Sequence, residues 1–351
     1  MKQTENLNIK RFNPIISPED LKQIFPLDGK TADFVLSSRQ QIKDILYRRD
    51  QRLMVVVGPC SIHDPKAALE YADHLAQLKA EVQDKLYLVM RVYFEKPRTN
   101  VGWKGLINDP ELNGTHPISK GLGLARQLLC NINSRGVAVA NEVLDPIAPH
   151  FLADLISWGA IGARTTESQT HREMASGLSF PVGFKNSTDG NIKIALDAIS
   201  TAARPHSFMG INRKGTISIV ETTGNPDTHI VLRGGHDRPN YFPEDIEKVE
   251  SLLKKANQKQ TIMVDCSHGN SCKDYKQQHQ VLSQVVDQRL QGNRSIRGIM
   301  IESNLNAGNQ PLHNDVSKLK YGVSVTDACL DWESTRLMLL KAAKRLGEVK
   351  S

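Results

Sequence analysis

The sequence predicts an α/β protein: a (β/α)8 TIM barrel with an N-terminal extension and a small inserted β-hairpin. Eight short apolar runs rich in β-branched residues recur along the 351 residues, as expected for strands buried on both faces. Amphipathic stretches separate these runs, and strict alternation of strand and helix implies parallel pairing with right-handed crossovers. Eight such units favour a closed barrel, which fits within the usual length range of about 200 to 400 residues.

The predicted strands are the apolar runs themselves. They are Leu53–Val57, Leu86–Val92, Val137–Ala140, Ala160–Ala163, Pro181–Phe184, His229–Leu232, Ile262–Val264 and Gly298–Ile301. Helical stripes lie between them: one ends before Gly136, a second begins at Ile192, and a third follows Pro243. The alternative fold is an open doubly wound sheet, but the GxGxxG fingerprint of its dinucleotide-binding members is missing after the first run.

Two regions exceed a minimal barrel. Residues 1–48 precede the first strand and are predicted to form an extension with regulatory or oligomer contacts, whereas residues 49–351 form the catalytic barrel. A long connection at about 206–228 contains Ile217, Ile219 and the turn-like sequence 212–215, which predicts an inserted hairpin.

Composition restricts the class of protein. The chain carries a formal charge of +7, but its Lys and Arg residues are scattered with little aromatic interleaving, which argues against nucleic acid as a partner. No apolar run is long enough for a membrane span, and the polar N-terminus lacks the apolar core of a signal peptide. The expected location is therefore the cytoplasm. The odd number of cysteines, five, argues against a disulfide framework.

The residues after each predicted strand carry the chemistry, because barrel active sites lie at the C-terminal strand ends. One set could together hold a divalent transition metal: Cys60, His268, Glu302 and Asp327. Mixed S, N and O ligands do not distinguish among Mn, Fe, Co and Zn. Each residue taken alone has a simpler explanation, since a lone cysteine is usually a small hydrophobe. Their shared place on one barrel face favours the metal site.

A second set of strand-exit residues is cationic. It consists of Arg91, Lys96, Arg98, Arg164, Lys185 and Arg233. Cations concentrated at one barrel mouth suit phosphate and carboxylate groups, which Arg binds through two parallel hydrogen bonds and Lys as a point charge. Solvated surface charge is the ordinary alternative, but it explains poorly an arginine at a strand exit.

Long strings around these residues resemble the microbial type I 3-deoxy-D-arabino-heptulosonate 7-phosphate (DAHP) synthases. The resemblance extends from about residue 50 to the end. The strings are GPCSIHD at 58–64, YFEKPRT at 93–99, GWKGL at 102–106, GAIGARTTESQ at 159–169, PVGFKN at 181–186 and DCSHGN at 265–270. Asn100 and Ser187 stand where the family pattern has Thr and Gly, and Ser187 puts the backbone near Lys185 in question.

The resemblance implies specific roles. It makes Cys60, His268, Glu302 and Asp327 the metal ligands, in agreement with their positions at the strand ends. It assigns phosphoenolpyruvate binding to Arg91, Lys96, Glu142, Ala163, Arg164, Lys185 and Arg233. It assigns erythrose 4-phosphate binding to Lys96, Pro97, Arg98 and Thr99. The expected catalytic residues are Lys96, Glu142, Cys60 and His268, with Lys96 as the proton donor and Glu142 orienting or activating a water molecule.

The family also implies a homodimer or homotetramer and an aromatic amino-acid effector. The residues that match the effector site are Asn6, Pro149, His150, Leu178, Ser179, Phe208, Gly210 and Val220. Gly210 stands where the phenylalanine-sensitive form carries serine, and Asn6 resembles the tyrosine-sensitive form. Tyrosine is therefore the expected effector, with phenylalanine as the alternative. Gly210 could instead merely permit an unusual backbone angle.

Three other functions remain open from the sequence. They are a metal-dependent sugar-phosphate aldolase on the same fold, the related eight-carbon keto-sugar phosphate synthase, and a non-catalytic nucleic-acid-binding protein. The Lys-Pro-Arg-Thr string favours the eight-carbon synthase less than the seven-carbon one.

Overall fold

The structure, a computed structural model, describes residues 4–98, 100–313 and 315–348. Its strands are β1 Leu53–Gly58, β2 Leu86–Arg91, β3 Ala138–Glu142, β4 Trp158–Ile161, β5 Val182–Lys185, β6 Ser207–Ile211, β7 Ile217–Glu221, β8 Thr228–Leu232, β9 Ile262–Asp265 and β10 Ile296–Glu302. Within the described residues, eight parallel strands close a barrel in the order β1-β10-β9-β8-β5-β4-β3-β2. The predicted barrel is confirmed.

The helices follow the strands in alternation. They are α1 Pro18–Ile24, α2 Gly29–Leu46, α3 Pro65–Val82, α4 Ile118–Ser134, α5 Ala148–Leu152, α6 Gln169–Ser176, α7 Ile192–Ala202, α8 Pro243–Lys255, α9 Gln278–Leu290 and α10 Trp332–Gly347. Two residues predicted to mark helix ends, Pro243 and Gly136, lie at the ends of helices. Helix α8 begins at Pro243, and Gly136, with φ of 72°, follows the end of α4.

The fourth strand begins earlier than predicted. It covers Trp158–Ile161, whereas the apolar run indicated Ala160–Ala163. A side chain on Gly159 would come within 2.5 Å of the Phe180 ring, so this strand position requires glycine rather than the β-branched residue used to recognise strands. As a consequence Arg164 lies three residues beyond the strand, not directly at its exit.

The barrel interior is filled at its N-terminal end and left open at the other. Met54, Val56, Trp158 and Met263 belong to a buried cluster inside the barrel. Helix α2 adds fully buried Ile42 to this cluster and so covers that end. A second and larger core lies between the strands and the outer helices. The barrel interior is therefore open to ligands only at the C-terminal strand ends of the described structure.

The inserted hairpin forms as predicted. Strands β6 and β7 pair antiparallel, and the Gly215 amide donates to the Asn212 carbonyl in the connecting turn. The extension contacts the hairpin, because the Glu19 amide donates to the Arg213 carbonyl at 2.9 Å. The boundary at residue 48 and the role of the extension stay predictions. Among the described helices, none has both the length and the apolar character needed to cross a membrane.

Candidate active site

A cavity of about 580 Å³ opens at the C-terminal ends of the barrel strands. Nearly all of the predicted substrate and metal residues line it. They are Arg91, Lys96, Pro97, Arg98, Glu142, Ala163, Arg164, Lys185, Arg233, His268, Glu302 and Asp327. Cys60 is buried, with its Sγ 3.0 Å from Lys96 Nζ, and Thr99 lies outside the described residues.

Three of the four predicted metal ligands form a compact set. The ligand atoms of Cys60, Glu302 and Asp327 all lie within 4.8 Å of one another. His268 Nε2 lies 3.9 Å from Glu302 Oε1, at the edge of the same group. These donors approach one another from three different strand exits and the 327 loop, as expected for ligands of one ion.

Glu302 shows that the set fits a cation. Its Oε1 is buried and has no hydrogen-bond partner among the described residues. Arg91 Nη2 lies 2.9 Å away as an ion pair, but without hydrogen-bond geometry. A buried carboxylate oxygen without a donor is unusual, and coordination to a metal would satisfy it.

The thiol of Cys60 is protonated in the absence of a metal. Burial, reinforced by the Glu302 carboxylate, raises the pKa of Cys60 to about 12. Lys96 Nζ at 3.0 Å and Asp327 Oδ2 at 3.2 Å are in contact with its sulfur. Because a thiolate is the form that ligates, metal binding must displace this proton.

Arg91 is held beneath the cavity rather than free to move. It is buried, its Nε donates to the Pro59 carbonyl and its Nη2 to the Cys60 carbonyl, each at 3.1 Å. The guanidinium carbon lies 3.8 Å from the centre of the Tyr93 ring. Arg91 thereby fixes the backbone that carries Cys60 and neutralises Glu302.

Asp265 joins the candidate metal set to the cationic set, a role that the sequence did not reveal. It is fully buried at the end of β9, with Lys185 Nζ at 2.7 Å and His268 Nδ1 at 3.0 Å from its Oδ2. Ser267 donates its amide and hydroxyl to the other oxygen. A carboxylate on Nδ1 leaves Nε2 of His268 free to ligate.

The remaining cations surround the cavity at different depths. Lys185 is buried, Arg233 is half-buried, and Arg164 is exposed with Nη1 3.4 Å from the Pro97 carbonyl. Burial, with Arg164 nearby, lowers the pKa of Arg233. Two guanidiniums that repel each other at one rim are suited to an anion placed between them.

Lys96 and Glu142 occupy central positions. Lys96 Nζ lies 3.6 Å from Asp327 Oδ2, so this ammonium stands within the candidate ligand set. Glu142 is buried at the end of β3, and a side chain on Gly162 would come within 2.2 Å of its Oε1. Gly162 therefore provides the space in which the Glu142 carboxylate lies.

Several other cavity residues were not predicted. They are Gly162, Thr188, Ser267, Ser271, Lys273, Tyr275, Asn309 and Ala328. Lys273 adopts φ of 63°, and its amide donates to the His268 carbonyl at 2.9 Å. The loop that carries Lys273 has no periodic pattern in the sequence. Only its position a few residues after His268 could have indicated that it lines the cavity.

Most of the predicted effector residues lie around the hairpin. Phe208 pairs with Val220 across β6 and β7. Leu178 lies near the hairpin because Asn225, four residues after β7, donates from its Nδ2 to the Leu178 carbonyl at 3.2 Å. Ser179 follows Leu178 in the same loop. Gly210 has no positive φ, and a side chain there would come within 2.8 Å of Val220 Cγ2. The absence of a side chain at Gly210 therefore makes room for Val220 and does not serve an unusual backbone angle.

The other predicted effector residues lie on α5 and in the extension. Pro149 and His150 are in α5, which packs against α1. Burial, followed by the charge of Lys22, lowers the pKa of His150. Asn6 is exposed in a turn, and within the described residues no hydrogen bond or ion pair connects it to the hairpin. Helix α1 therefore contacts α5 on one side and, through Glu19, the turn of the hairpin on the other, whereas Asn6 lies apart.

Fold and cavity define a (β/α)8-barrel enzyme whose active site combines candidate metal ligands with a pocket for anions. The model of the DAHP synthetase I family matches residues 30–340, and the chain belongs to this family. It is 55% identical over 334 residues to the tyrosine-sensitive phospho-2-dehydro-3-deoxyheptonate aldolase of Escherichia coli (strain K12), covering 95% of this chain and 94% of the relative.

Two further comparisons agree. The phenylalanine-sensitive enzyme of the same E. coli strain is 51% identical over 341 residues, 97% of each chain. The solved structure of phospho-2-dehydro-3-deoxyheptonate aldolase from Francisella tularensis SCHU S4 superposes with a TM-score of 0.95 at 46% identity, covering 98% of this chain and 100% of the other.

Proposed function

We propose that this enzyme condenses phosphoenolpyruvate with D-erythrose 4-phosphate and water to give DAHP and inorganic phosphate, the first step of the shikimate pathway. The observation that carries the proposal is one cavity in which the Cys60, Glu302 and Asp327 set lies beside buried Lys185 and half-buried Arg233. The reaction needs both parts, because two phosphorylated substrates must be held together while one carbonyl oxygen gains charge.

The cations divide between the two substrates. Lys185, Arg164, Arg233 and Arg91 hold the carboxylate and phosphate of phosphoenolpyruvate, with Ala163 in the same wall. The aldose phosphate is held by the 96–99 segment: Lys96, Pro97, Arg98 and Thr99. Arg98 Nε donates to the Trp103 carbonyl at 2.8 Å, which anchors this segment to the barrel.

The residues of the chain account for the proton transfers. A bound divalent metal, Mn, Fe, Co or Zn on Cys60, His268, Glu302 and Asp327, would act as a Lewis acid toward the aldehyde oxygen. Lys96 donates a proton to that oxygen as C3 of phosphoenolpyruvate bonds to the aldehyde carbon. Glu142 orients the water that adds at C2. The bond between C2 and the bridging oxygen then breaks, which releases phosphate and leaves a ketone at C2.

Product analysis distinguishes this reaction from the other sugar-phosphate reactions. Mass spectrometry should find a seven-carbon keto acid phosphate, with one inorganic phosphate formed for each erythrose 4-phosphate consumed. Turnover of dihydroxyacetone phosphate without phosphate release would instead identify an aldolase of the same fold. Retention on heparin that is lost in moderate salt, without any phosphate release, would support nucleic-acid binding.

We further propose that an aromatic amino acid, tyrosine in preference to phenylalanine, inhibits the enzyme at the hairpin. Support comes from the inner face of the hairpin, where Gly210 lies between Phe208 and Val220 and a side chain on it would come within 2.8 Å of Val220 Cγ2. Because Gly210 adds no side chain to this crowded face, it leaves more room for a phenolic hydroxyl than serine would. Leu178 and Ser179 on one side and α5 with Pro149 and His150 on the other complete the proposed site, and Asn6 joins it only if the extension of another subunit approaches.

Titration of activity against tyrosine, phenylalanine and tryptophan tests the effector. Tyrosine should inhibit most strongly, and Gly210→Ser should shift the preference toward phenylalanine. Ser207→Gly, on the opposite and exposed face of β6, serves as the control and should leave the preference unchanged. Stronger inhibition of the unaltered enzyme by phenylalanine would contradict the tyrosine assignment.

The outer face of the same hairpin supports a homodimer or homotetramer. Met209, Ile217 and Ile219 are 86%, 80% and 75% exposed, and Met209 pairs directly with Ile219. Adjacent exposed apolar side chains on one face are typical of a protein interface. Ile219→Glu should reduce the mass measured by light scattering, whereas Leu337→Glu, on exposed α10, should not. An unaltered enzyme that is monomeric at micromolar concentration would contradict the proposal.

A further inference from the structure

A second cavity lies at the opposite, N-terminal end of the barrel. We call it the basal cavity; its volume is about 440 Å³. It shares no residue with the active site and lies where β1 and β2 begin and α9 and α10 end. Its lining consists of Asp50, Gln51, Arg52, Asp84, Lys85, Arg289, Leu290 and Leu346.

Arg289 brings an uncompensated positive charge to this cavity. Its Nη1 and Nη2 donate to the carbonyls of Ile296 at 2.6 Å and Gln51 at 2.8 Å, and within the described residues no carboxylate pairs with it. Its Nε is buried and has no hydrogen-bond partner there. Burial lowers the pKa of Arg289 to about 10, so the guanidinium is still charged at neutral pH. A buried donor without an acceptor is rare in folded proteins.

Arg297 places a second buried guanidinium behind the first. Its Nε and Nη2 donate only to backbone carbonyls. Burial, followed by the charges of Arg289 and Arg48, lowers the pKa of Arg297 to about 10. The nearby carboxylate, Asp50, already pairs with Arg52 at 2.6 Å. This end of the barrel therefore has more buried positive charge than it can neutralise.

We propose that the basal cavity binds a phosphate group, carried by inorganic phosphate or by a phosphomonoester. The lining carries three cations, Arg52, Lys85 and Arg289, against the two carboxylates of Asp50 and Asp84. It therefore has one positive charge in excess, and Arg297 adds a second behind it. Two positive charges match a phosphate dianion. The Arg289 guanidinium and the exposed Lys85 ammonium both line the cavity and supply donors from two separate side chains, an arrangement that suits a tetrahedral oxyanion.

Calorimetric titration of the full chain with inorganic phosphate tests the proposal. Arg164→Ala and Arg233→Ala are first combined to disable phosphate binding in the active site. One phosphate per chain should still bind in this background. Adding Arg289→Leu or Lys85→Ala should weaken it at least tenfold, whereas Lys254→Ala, an exposed lysine on α8, should have no effect. A parallel titration with glycerol 3-phosphate identifies the ligand: tighter binding than inorganic phosphate indicates a phosphomonoester, and weaker or equal binding indicates the free anion.

Two results would overturn the proposal. One is the absence of phosphate binding in the background with the disabled active site. The other is binding that is unchanged by Lys85→Ala and Arg289→Leu, or that Lys254→Ala weakens equally. Lys85 is exposed, so its substitution decides the question even if Arg289→Leu does not fold.

Discussion

Lys185 Nζ and Asp265 Oδ2 lie 2.7 Å apart, both buried, at the exits of β5 and β9. The same carboxylate oxygen lies 3.0 Å from Nδ1 of His268. One acidic side chain therefore positions an ammonium proposed to hold phosphoenolpyruvate and an imidazole proposed to hold the metal. Its negative charge also lies directly against the Lys185 ammonium and so compensates the burial of that cation.

Asp265→Asn should impair both functions together. The amide removes the negative charge shared by Lys185 and His268, so we expect metal affinity and kcat/KM for phosphoenolpyruvate each to fall about 10- to 100-fold, the usual effect of losing such a supporting partner. Metal titration of the stripped enzyme and steady-state kinetics measure the two effects. Asp237→Asn, on an exposed loop, is the matched control. Normal values for both quantities would rule out this role.

Cys60 makes metal binding dependent on pH. Because burial raises the pKa of its thiol to about 12, the metal must displace a proton, and affinity should rise about tenfold for each pH unit over the neutral range. Chelation should abolish activity, and manganese or cobalt should restore it. Cys60→Ser should bind metal weakly and lose the pH dependence, whereas Cys130→Ser, on α4, should retain both. Full activity of Cys60→Ser in metal-free buffer would exclude Cys60 as a ligand.

Arg164→Lys tests the anion pocket. The substitution keeps the charge but loses the planar pair of donors, so kcat/KM for phosphoenolpyruvate should fall about tenfold or more, the equivalent of one charge-assisted hydrogen bond. Steady-state kinetics with saturating aldose phosphate measure this effect. Arg204→Lys, another exposed arginine, should behave like the unaltered enzyme. Unchanged kinetics in Arg164→Lys would show that Arg164 does not bind phosphoenolpyruvate.

Glu95 should make stability fall as pH rises. Burial, with the Asp145 carboxylate nearby, raises its pKa from 4.5 to about 7 in the folded protein. The charged form is therefore disfavoured by folding, and the stability present below pH 4.5 is lost progressively up to pH 7. Glu95→Gln does not ionise, so its free energy of unfolding relative to the unaltered protein should rise by about 3 kcal/mol across this range. Denaturant unfolding at pH 5 and pH 8 measures the change; a constant difference would contradict the assignment.

From the sequence we could predict the repeated strands of the barrel and the residues that follow each strand. Apolar runs located the barrel, and because parallel strands of a barrel end at one face, residues as distant as Cys60 and Glu302 could be placed together. Pairings across the barrel could not be found this way. Lys185 and Asp265 are 80 residues apart, and nothing in the sequence near either indicates the other. Arg289 and Arg297 likewise read as ordinary surface charges until the structure places both at the closed end of the barrel.

Phosphate release from phosphoenolpyruvate, measured with each aldose phosphate in turn, tests the central claim most directly. The metal-loaded enzyme should release phosphate rapidly with erythrose 4-phosphate, slowly or not at all with arabinose 5-phosphate, and not without an aldose. Release that prefers arabinose 5-phosphate, or that needs no aldose, would contradict the assignment of this cavity to DAHP synthesis.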